Sequence, residues 1–158
     1  MAPDVLFMPS KISADDYLWR TSNAGRALSN ALRRFEERVL GLMGEDGFQE
    51  TRRSHVNLTR HLDLDGTRIT ELARRAAMTN AAMTELIDQC ESLGLVERIQ
   101  DPSDGRARIV VFTLAGLGWL QAFGDAVQKA QKEMEGELGA VFVQTLVTQL
   151  ARYADGDR

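Results

Sequence analysis

The sequence is poor in several residue types, and each scarcity narrows the class of protein. Its 158 residues include a single cysteine, Cys90, which cannot form an internal disulfide and is typical of a reducing cytoplasm. Three prolines and no low-complexity tract argue against a disordered chain. No run of about 18 apolar residues is present, and the N-terminal stretch lacks the basic start of a signal peptide. We therefore expect a soluble, cytoplasmic, single-domain protein with no membrane partner.

Basic residues are also few. The 19 lysines and arginines are outnumbered by 23 acidic residues, which gives a net charge of −4 and a pI near 5.2. A nucleic-acid-binding domain usually carries a basic excess. Net charge averages over the whole surface, however, so any binding site for DNA depends on where individual arginines lie.

Signals for catalysis and for metals are missing as well. No glycine-rich phosphate loop occurs, and no nucleophile stands beside a candidate base, so we predict no enzyme, no catalytic residue and no cofactor. His55 and His61 could join Asp63 or Asp65 around a metal. Six residues do not place two side chains on one helix face, so we predict no metal site.

The residues that are present form a series of helical patterns. Asp15 and Asp16 lead into a first stripe at spacings of three and four, and a glycine-rich break separates it from a second helix over 49–62. A turn over 63–69 precedes a short helix capped by Thr70. A long helix from Ala115 is broken at Gly136 and Gly139, and a final helix follows it. The N-terminal residues 1–13 are predicted to form an irregular arm.

The middle of the chain predicts a helix pair followed by a hairpin. Thr79 can cap a helix that runs to Leu93, and Gly94 ends that helix. The following stretch "VERIQDPSDGRARIVVFT" contains two strands joined by a polar turn. This order is the layout of a winged helix-turn-helix, whose second helix enters the DNA major groove while the hairpin, or wing, reaches the minor groove or backbone.

Two arginines lie at the start of the second strand. Side chains alternate along a strand, so Arg106 and Arg108 project from the same face. Arginine in a narrow minor groove meets strong negative potential. We predict that Asp104 accepts a hydrogen bond from the Arg106 guanidinium and positions it. The alternative is a turn in which Asp104 and its glycine only supply geometry, with the arginines as solvated strand ends.

The stretch "ELARRAAMTNAAMTELIDQCESLGLVERIQDPSDGRARIVVFTLAGLGWL" resembles the DNA-binding core of the MarR family of bacterial transcriptional regulators. The resemblance runs from the short helix through "LGLVER" and "DPSDGR" to "FTLAG". It implies a mainly α-helical fold with a small β-hairpin: a winged helix-turn-helix core with N- and C-terminal dimerisation helices. We accordingly assign 14–45 and 115–154 to dimerisation helices and 46–114 to the DNA-binding lobe.

The resemblance also implies roles for individual residues. Thr79–Leu93 becomes the recognition helix, with Asn80, Ala81 and Thr84 facing bases and phosphates. Asp104 and Arg106 match the family's wing pair, and Arg108 accompanies them. Glu85 can accept a hydrogen bond from cytosine N4 or stay solvated. We therefore expect a homodimeric repressor that binds a pseudo-palindromic operator in double-stranded DNA.

The chain departs from the family in charge. No cation occurs from Thr79 to Leu93, and Gly105 stands where arginine is common. Between Arg68 and Arg108 six basic residues face seven acidic ones. This balance leaves a second function open, that of a winged-helix module for protein interaction with weak or lost DNA binding.

A small phenolic or aromatic acid is the ligand that the resemblance implies. Trp19 and Arg20 in the first helix, with Arg52, Arg53 and His55 in the second, are residue types that suit such an acid. The alternative is that Trp19 packs in a dimer core and the arginines are solvated. Cys90 falls on the apolar stripe of its helix, so we favour core packing over oxidation sensing for it.

Overall fold

The computed structural model describes residues 14–156, so the arm predicted over 1–13 lies outside the described residues. A 3-10 helix over Ala14–Arg20 comes first. The remaining elements in chain order are α1 (Ala24–Glu45), α2 (Arg53–His61), β1 (Thr67–Arg68), α3 (Ile69–Arg75), α4 (Asn80–Ser92), β2 (Val96–Asp101), β3 (Asp104–Phe112), α5 (Leu114–Leu138) and α6 (Ala140–Asp155). The fold is mainly helical with a small sheet, as the sequence predicts.

The chain divides into two units, one ending at Arg34 and the other beginning at Phe35. In the first unit, the 3-10 helix stands where the sequence predicts the start of the first α-helix. The reason is local, since the Asn23 side chain donates to the Trp19 carbonyl at 2.6 Å and accepts from the Arg26 amide at 2.9 Å. An asparagine in this position caps an α-helix, so α1 begins at Ala24.

The sheet of the second unit has three antiparallel strands in the order β1-β3-β2. Strand β1 was not expected, because the sequence predicts a turn over 63–69, and this prediction is wrong for Thr67 and Arg68. Gly66 has a φ of +98°, and a Cβ on it would lie 2.8 Å from the Ile109 side chain. The missing side chain lets the backbone pass close to β3, so that Thr67 pairs with Val110 and Arg68 with Ile109.

The predicted cap of the short helix is also wrong. Arg68, not Thr70, is the N-cap residue of α3, because the backbone of Arg68 is still extended within β1. Helix α3 ends in a Schellman turn, in which Met78 N–H donates to the Ala73 carbonyl at 2.9 Å. Ala77 occupies the left-handed position of this turn with a φ of 52°, a conformation that usually favours glycine.

The limits of α4 agree with the sequence. The Thr79 hydroxyl accepts from the Ala82 amide at 3.1 Å, which is an N-cap bond. At the other end Gly94 has a φ of +72°, and Leu95 N–H donates to the Cys90 carbonyl at 3.0 Å. This is a second Schellman turn, and it directs the chain into β2.

One apolar core joins α2, α3, α4, the sheet and α5. Trp119 is 1% exposed, donates its indole N–H to the Thr51 hydroxyl at 2.9 Å and stacks on Phe123. Arg38 on α1 forms a two-bond ion pair with Glu133 on α5, at 2.7 and 2.9 Å. Helix α5 is therefore fixed to this core by packing and to α1 by an ion pair.

The C-terminal helices run further than the glycines suggest. Gly136 lies inside α5, and only Gly139, with a φ of +91°, separates α5 from α6. Large apolar side chains remain exposed around this junction: Leu138, Val141, Phe142, Val147 and Tyr153. None of the helices in the described chain combines the length and the apolar character that a membrane crossing requires.

Candidate nucleic-acid interface

Helix α4 has one buried face and one exposed face. Met83, Leu86, Ile87 and Cys90 are buried. The five candidate residues at the start of the helix, Thr79, Asn80, Ala81, Thr84 and Glu85, are all exposed. The Thr84 hydroxyl donates to the Asn80 carbonyl at 2.8 Å. The structure therefore brings these five residues together on the surface.

The acidic residues in the second half of α4 are paired with an arginine that the sequence analysis did not single out. Arg98 on β2 donates to Asp88 at 2.6 Å and to Glu91. Its backbone N–H also donates to Glu91 Oε1 at 3.0 Å. The Arg98 side chain is only 17% exposed, so the pair covers part of the helix surface.

The wing is less regular than a simple hairpin. Gln100 pairs with Arg108, but the next pair is Asp101 with Asp104, so the register shifts between them. The residues of β3 from Gly105 to Ala107 therefore have no paired backbone residue on β2. Gln100 Nε2 donates across this irregular stretch to the Gly105 carbonyl at 2.6 Å.

This irregularity changes the predicted contact between Asp104 and Arg106. Asp104 Oδ1 accepts from the backbone N–H of Arg106 at 3.1 Å, and its other oxygen lies 3.4 Å from Arg68 Nη2. The prediction that Asp104 binds the Arg106 guanidinium is wrong. Side chains do not alternate regularly through the bulge, and the guanidinium that donates to Asp104 belongs to Arg68 instead.

Asp101 anchors the wing, and sequence reasoning missed it. Its side chain is 8% exposed and accepts from the Ser103 backbone N–H and hydroxyl at 2.8 and 2.7 Å and from Arg68 Nε at 2.8 Å. The hydrogen bonds from Ser103, then that from Arg68, lower the pKa of Asp101 to about 2. The "DPS" turn in the sequence is the only local signal for this site, because Arg68 lies 33 residues away.

Further ion pairs occupy α3. Glu71 accepts from Arg74 at 2.7 Å and from Arg75 at 2.7 Å, and these hydrogen bonds lower the pKa of Glu71 to about 2. Arg75 also binds Asp63 at 2.9 Å. Four of the six arginines in the stretch from Arg68 to Arg108 are thus paired: Arg68, Arg74, Arg75 and Arg98.

Arg106 and Arg108 differ from those four. Both are exposed, and neither guanidinium has a hydrogen-bond or ion-pair partner within residues 14–156. Five of the seven acidic residues between Arg68 and Arg108 form ion pairs, and Glu85 and Glu97 have none within residues 14–156. Within the stretch from Arg68 to Arg108, the two arginines without a partner in the described chain are therefore both on the wing.

The candidate ligand residues fall in separate units. Trp19 is 65% exposed in the first unit, where Arg20 lines a shallow cavity of about 420 Å³ with Tyr17 and Arg26. In the second unit Arg52 is exposed, whereas Arg53 pairs with Glu36 at 3.3 Å.

His55 is buried, and its Nδ1 accepts from the Arg52 backbone N–H at 3.2 Å. This bond requires the neutral ring, and burial, followed by the charge of Arg52, lowers the pKa of His55. His55 therefore serves the start of α2. In this same unit, Phe48, Glu50, Leu95 and Trp119 line a smaller cavity of about 210 Å³.

The described chain has no cluster of three metal-ligating side chains. Cys90 is fully buried, and burial raises the pKa of its thiol to about 11. A buried neutral thiol is a poor nucleophile, so Cys90 behaves as a core residue.

The chain was compared with protein families, with curated sequences and with solved structures. The model of the MarR family matches residues 51–107, whereas no curated protein sequence matches the chain. A solved structure of the transcriptional repressor CouR bound to a 23-mer DNA duplex is 22% identical, with a TM-score of 0.67 over 92% of this chain and 99% of that chain.

Two further solved structures are similar. CouR from Rhodococcus jostii RHA1 bound to p-coumaroyl-CoA is 19% identical, with a TM-score of 0.69 over 87% of this chain and 96% of that chain. Wild-type MarR from E. coli in its apo form is 21% identical, with a TM-score of 0.66 over 82% of this chain and 96% of that chain. Residues 51–107 thus match the MarR family, and the described chain has the fold of MarR-family winged-helix transcriptional regulators.

Proposed function

We propose that this protein is a non-enzymatic transcriptional regulator, most simply a repressor, that binds a pseudo-palindromic operator as a homodimer. Helix α4 enters the major groove with Thr79, Asn80, Ala81, Thr84 and Glu85. The wing contacts the adjacent minor groove or backbone with Arg106 and Arg108, while Asp104 holds the backbone of the wing. Domain roles follow, with 14–45 and 115–154 as dimerisation helices and 46–114 as the DNA-binding lobe.

The observation that supports this proposal most strongly is the distribution of unpaired cations. Arg106 and Arg108 have no partner in the described chain, and the five candidate residues at the start of α4 are all exposed. DNA affinity depends chiefly on cations that neutralise phosphates, and helix N-termini add amide donors. The acidic net charge does not oppose such a site, because most acidic residues of the lobe are already engaged within it.

The experiment compares wild type with Arg106→Ala on a duplex chosen by this protein from a random-sequence library. Fluorescence anisotropy is recorded over a salt series. We expect the variant to bind about 1–3 kcal/mol more weakly, with a salt slope lower by about 1. Arg60→Ala is the matched control, because Arg60 is an exposed arginine on α2, outside the proposed DNA contacts and the proposed dimerisation helices, and should leave binding unchanged.

Two results would contradict the proposal. Failure of the wild type to enrich any duplex would favour the alternative of a protein-interaction module. Equal binding by wild type and Arg106→Ala would remove the wing from the interface. An apolar protein interface is also recognisable by its weak dependence on salt.

We further propose that a small aromatic or phenolic acid, free or as a thioester, regulates DNA binding. The support is the similar fold of CouR, which was solved with p-coumaroyl-CoA; that Trp19, Arg20, Arg52 or His55 takes part stays a prediction from the sequence. The same anisotropy titration, repeated with p-coumarate and with p-coumaroyl-CoA, tests it. An unchanged Kd and an unchanged Tm with both compounds would argue against this ligand class.

A further inference from the structure

The outward face of α4 carries a charge of the wrong sign for DNA. Ala81 and Asp88 are seven residues apart, two helical turns, and Glu85 lies between them on the same exposed face. Asp88 keeps a side chain that is 62% exposed. A carboxylate in this position would face the phosphate backbone when α4 lies in the major groove, and like charges repel.

Arg98 reaches this face from the wing. Its Nη2 lies 2.6 Å from Asp88 Oδ1 and 3.4 Å from the Thr84 carbonyl, and its Nη1 binds Glu91. Thr84, Asp88 and Glu91 follow one another at spacings of four and three, so they form one stripe along α4. The guanidinium therefore lies along the helix rather than pointing into solvent.

Stability alone is a weak reason for this arrangement. Pairs with a largely exposed partner contribute little to folding, and Asp88 is largely exposed. Electrostatics at the interface is a stronger reason, since the guanidinium offsets one of two carboxylates fully and reduces the field of the other.

Building on the proposed function, we propose that Arg98 is a positioning residue for DNA binding. It offsets one of the two negative charges of Asp88 and Glu91 at the surface of α4, and so lowers the repulsion when a helix without cations approaches the phosphate backbone. The wing then has two parts. Arg106 and Arg108 at the tip face the DNA, and Arg98 at the base reduces the negative charge of α4.

The test measures binding of the library-selected duplex by four variants over a salt series, with Tm recorded for each. Arg98→Gln should bind about tenfold more weakly at low salt. The loss should shrink to within about threefold at high salt, because screening removes repulsion between exposed charges. Arg98→Lys keeps the charge but cannot reproduce the contacts of two guanidinium nitrogens, so its affinity should lie between those of Arg98→Gln and wild type at low salt.

The discriminating variant is neutral. In D88N/E91Q/R98Q the arginine and both carboxylates are replaced, so no unpaired charge destabilises the fold. This site carries a charge of zero in the triple variant and of −1 in wild type, so we expect the triple variant to bind at least as tightly as wild type. Arg60→Gln is the control for losing one paired arginine elsewhere, since Arg60 pairs with Glu36 at 3.4 Å.

Each outcome separates the inference from the proposed function. If the wild type selects no duplex, the proposed function fails and this inference with it. If the wild type binds but Arg98→Gln behaves as Arg60→Gln does, only the inference is overturned. It is also overturned if the triple variant, with a wild-type Tm, binds as weakly as Arg98→Gln, because Arg98 would then act through geometry or direct contact.

Discussion

At the scale of single residues, the carboxylate of Asp101 supports the wing through three hydrogen bonds, two from Ser103 and one from Arg68 Nε, and through an ion-pair contact with Arg68 Nη2 at 2.7 Å. These donors favour the ionised form, which is why the pKa of Asp101 lies at about 2 rather than at its ordinary value of 3.8. A carboxyl group whose pKa is lower in the folded state stabilises the protein above its unfolded pKa. That stabilisation is lost as the pH falls through the folded pKa.

We therefore expect Asp101 to contribute to acid unfolding between pH 3.8 and about 2. The free energy of unfolding of the wild type should decrease over this range, as followed by urea unfolding at a series of pH values. Asp101→Asn should be less stable than wild type at pH 7, and the gap should narrow as the pH approaches 2. A constant gap between the two proteins across the series would contradict the role given to this carboxylate.

Sequence patterns predicted the residues of the wing better than their contacts. Thr79 and Gly94 act within a few residues of the chain, so their roles as helix cap and helix terminator were readable. Arg68 reaches Asp101 across 33 residues, and this contact depends on a two-residue strand that had no alternating pattern to reveal it. The partner of Asp104 was mistaken for a related reason, since the bulge at Gly105 changes strand alternation and is visible only in the strand register.

At the scale of elements, the junction between α4 and α5 is fastened by backbone contacts. Thr113 N–H donates to the Leu95 carbonyl at 3.1 Å, and the Thr113 hydroxyl donates to the Gly94 carbonyl. Gly116 lies directly on the same loop, so that a Cβ added to it would be 1.8 Å from the Leu95 oxygen. The end of α4 and the start of α5 are therefore held rigidly together, and we call this contact the α4–α5 joint.

Because Gly116 is in close contact at this joint and Gly118 is not, alanine should have opposite effects on stability at these two positions of α5. Gly116→Ala should lower the free energy of unfolding by about 2–3 kcal/mol, because backbone atoms must move to admit the methyl group. Gly118→Ala meets nothing within 4 Å and should raise it by about 0.5–1 kcal/mol, as alanine favours a helix over glycine. Urea unfolding of both variants tests the joint, and equal effects would show that Gly116 is not tightly packed.

At the scale of the whole molecule, the apolar side chains left exposed on α6 are consistent with the proposed homodimer. Val141 is 82% exposed and Phe142 is 55% exposed, which is unusual for adjacent apolar residues. Helices with uncovered apolar faces commonly pair with a second copy of themselves. The two DNA-binding lobes would then engage two half-sites about one helical turn apart.

Phe142→Glu should therefore dissociate the dimer, because it places a charge in an apolar interface. Sedimentation equilibrium gives the oligomeric state, and anisotropy gives the affinity for the selected duplex. We expect a monomer that binds at least about 100-fold more weakly, since linked sites add avidity on this scale. Gln49→Glu introduces the same charge at an exposed polar residue outside the proposed dimerisation helices and should remain dimeric. A dimeric Phe142→Glu would place the interface elsewhere.

The joint at Gly116 also makes α5 a lever arm. Helix α5 has 25 residues and is therefore about 37 Å long. A tilt of about 5° around its far end displaces the end beside Leu95 by about 3 Å, and stacked base pairs are about 3.4 Å apart. Because that end is in direct contact with the residues that follow α4, α4 moves with it. A small rotation between the two copies therefore changes the distance between the two α4 helices of the dimer by about the spacing of one base pair.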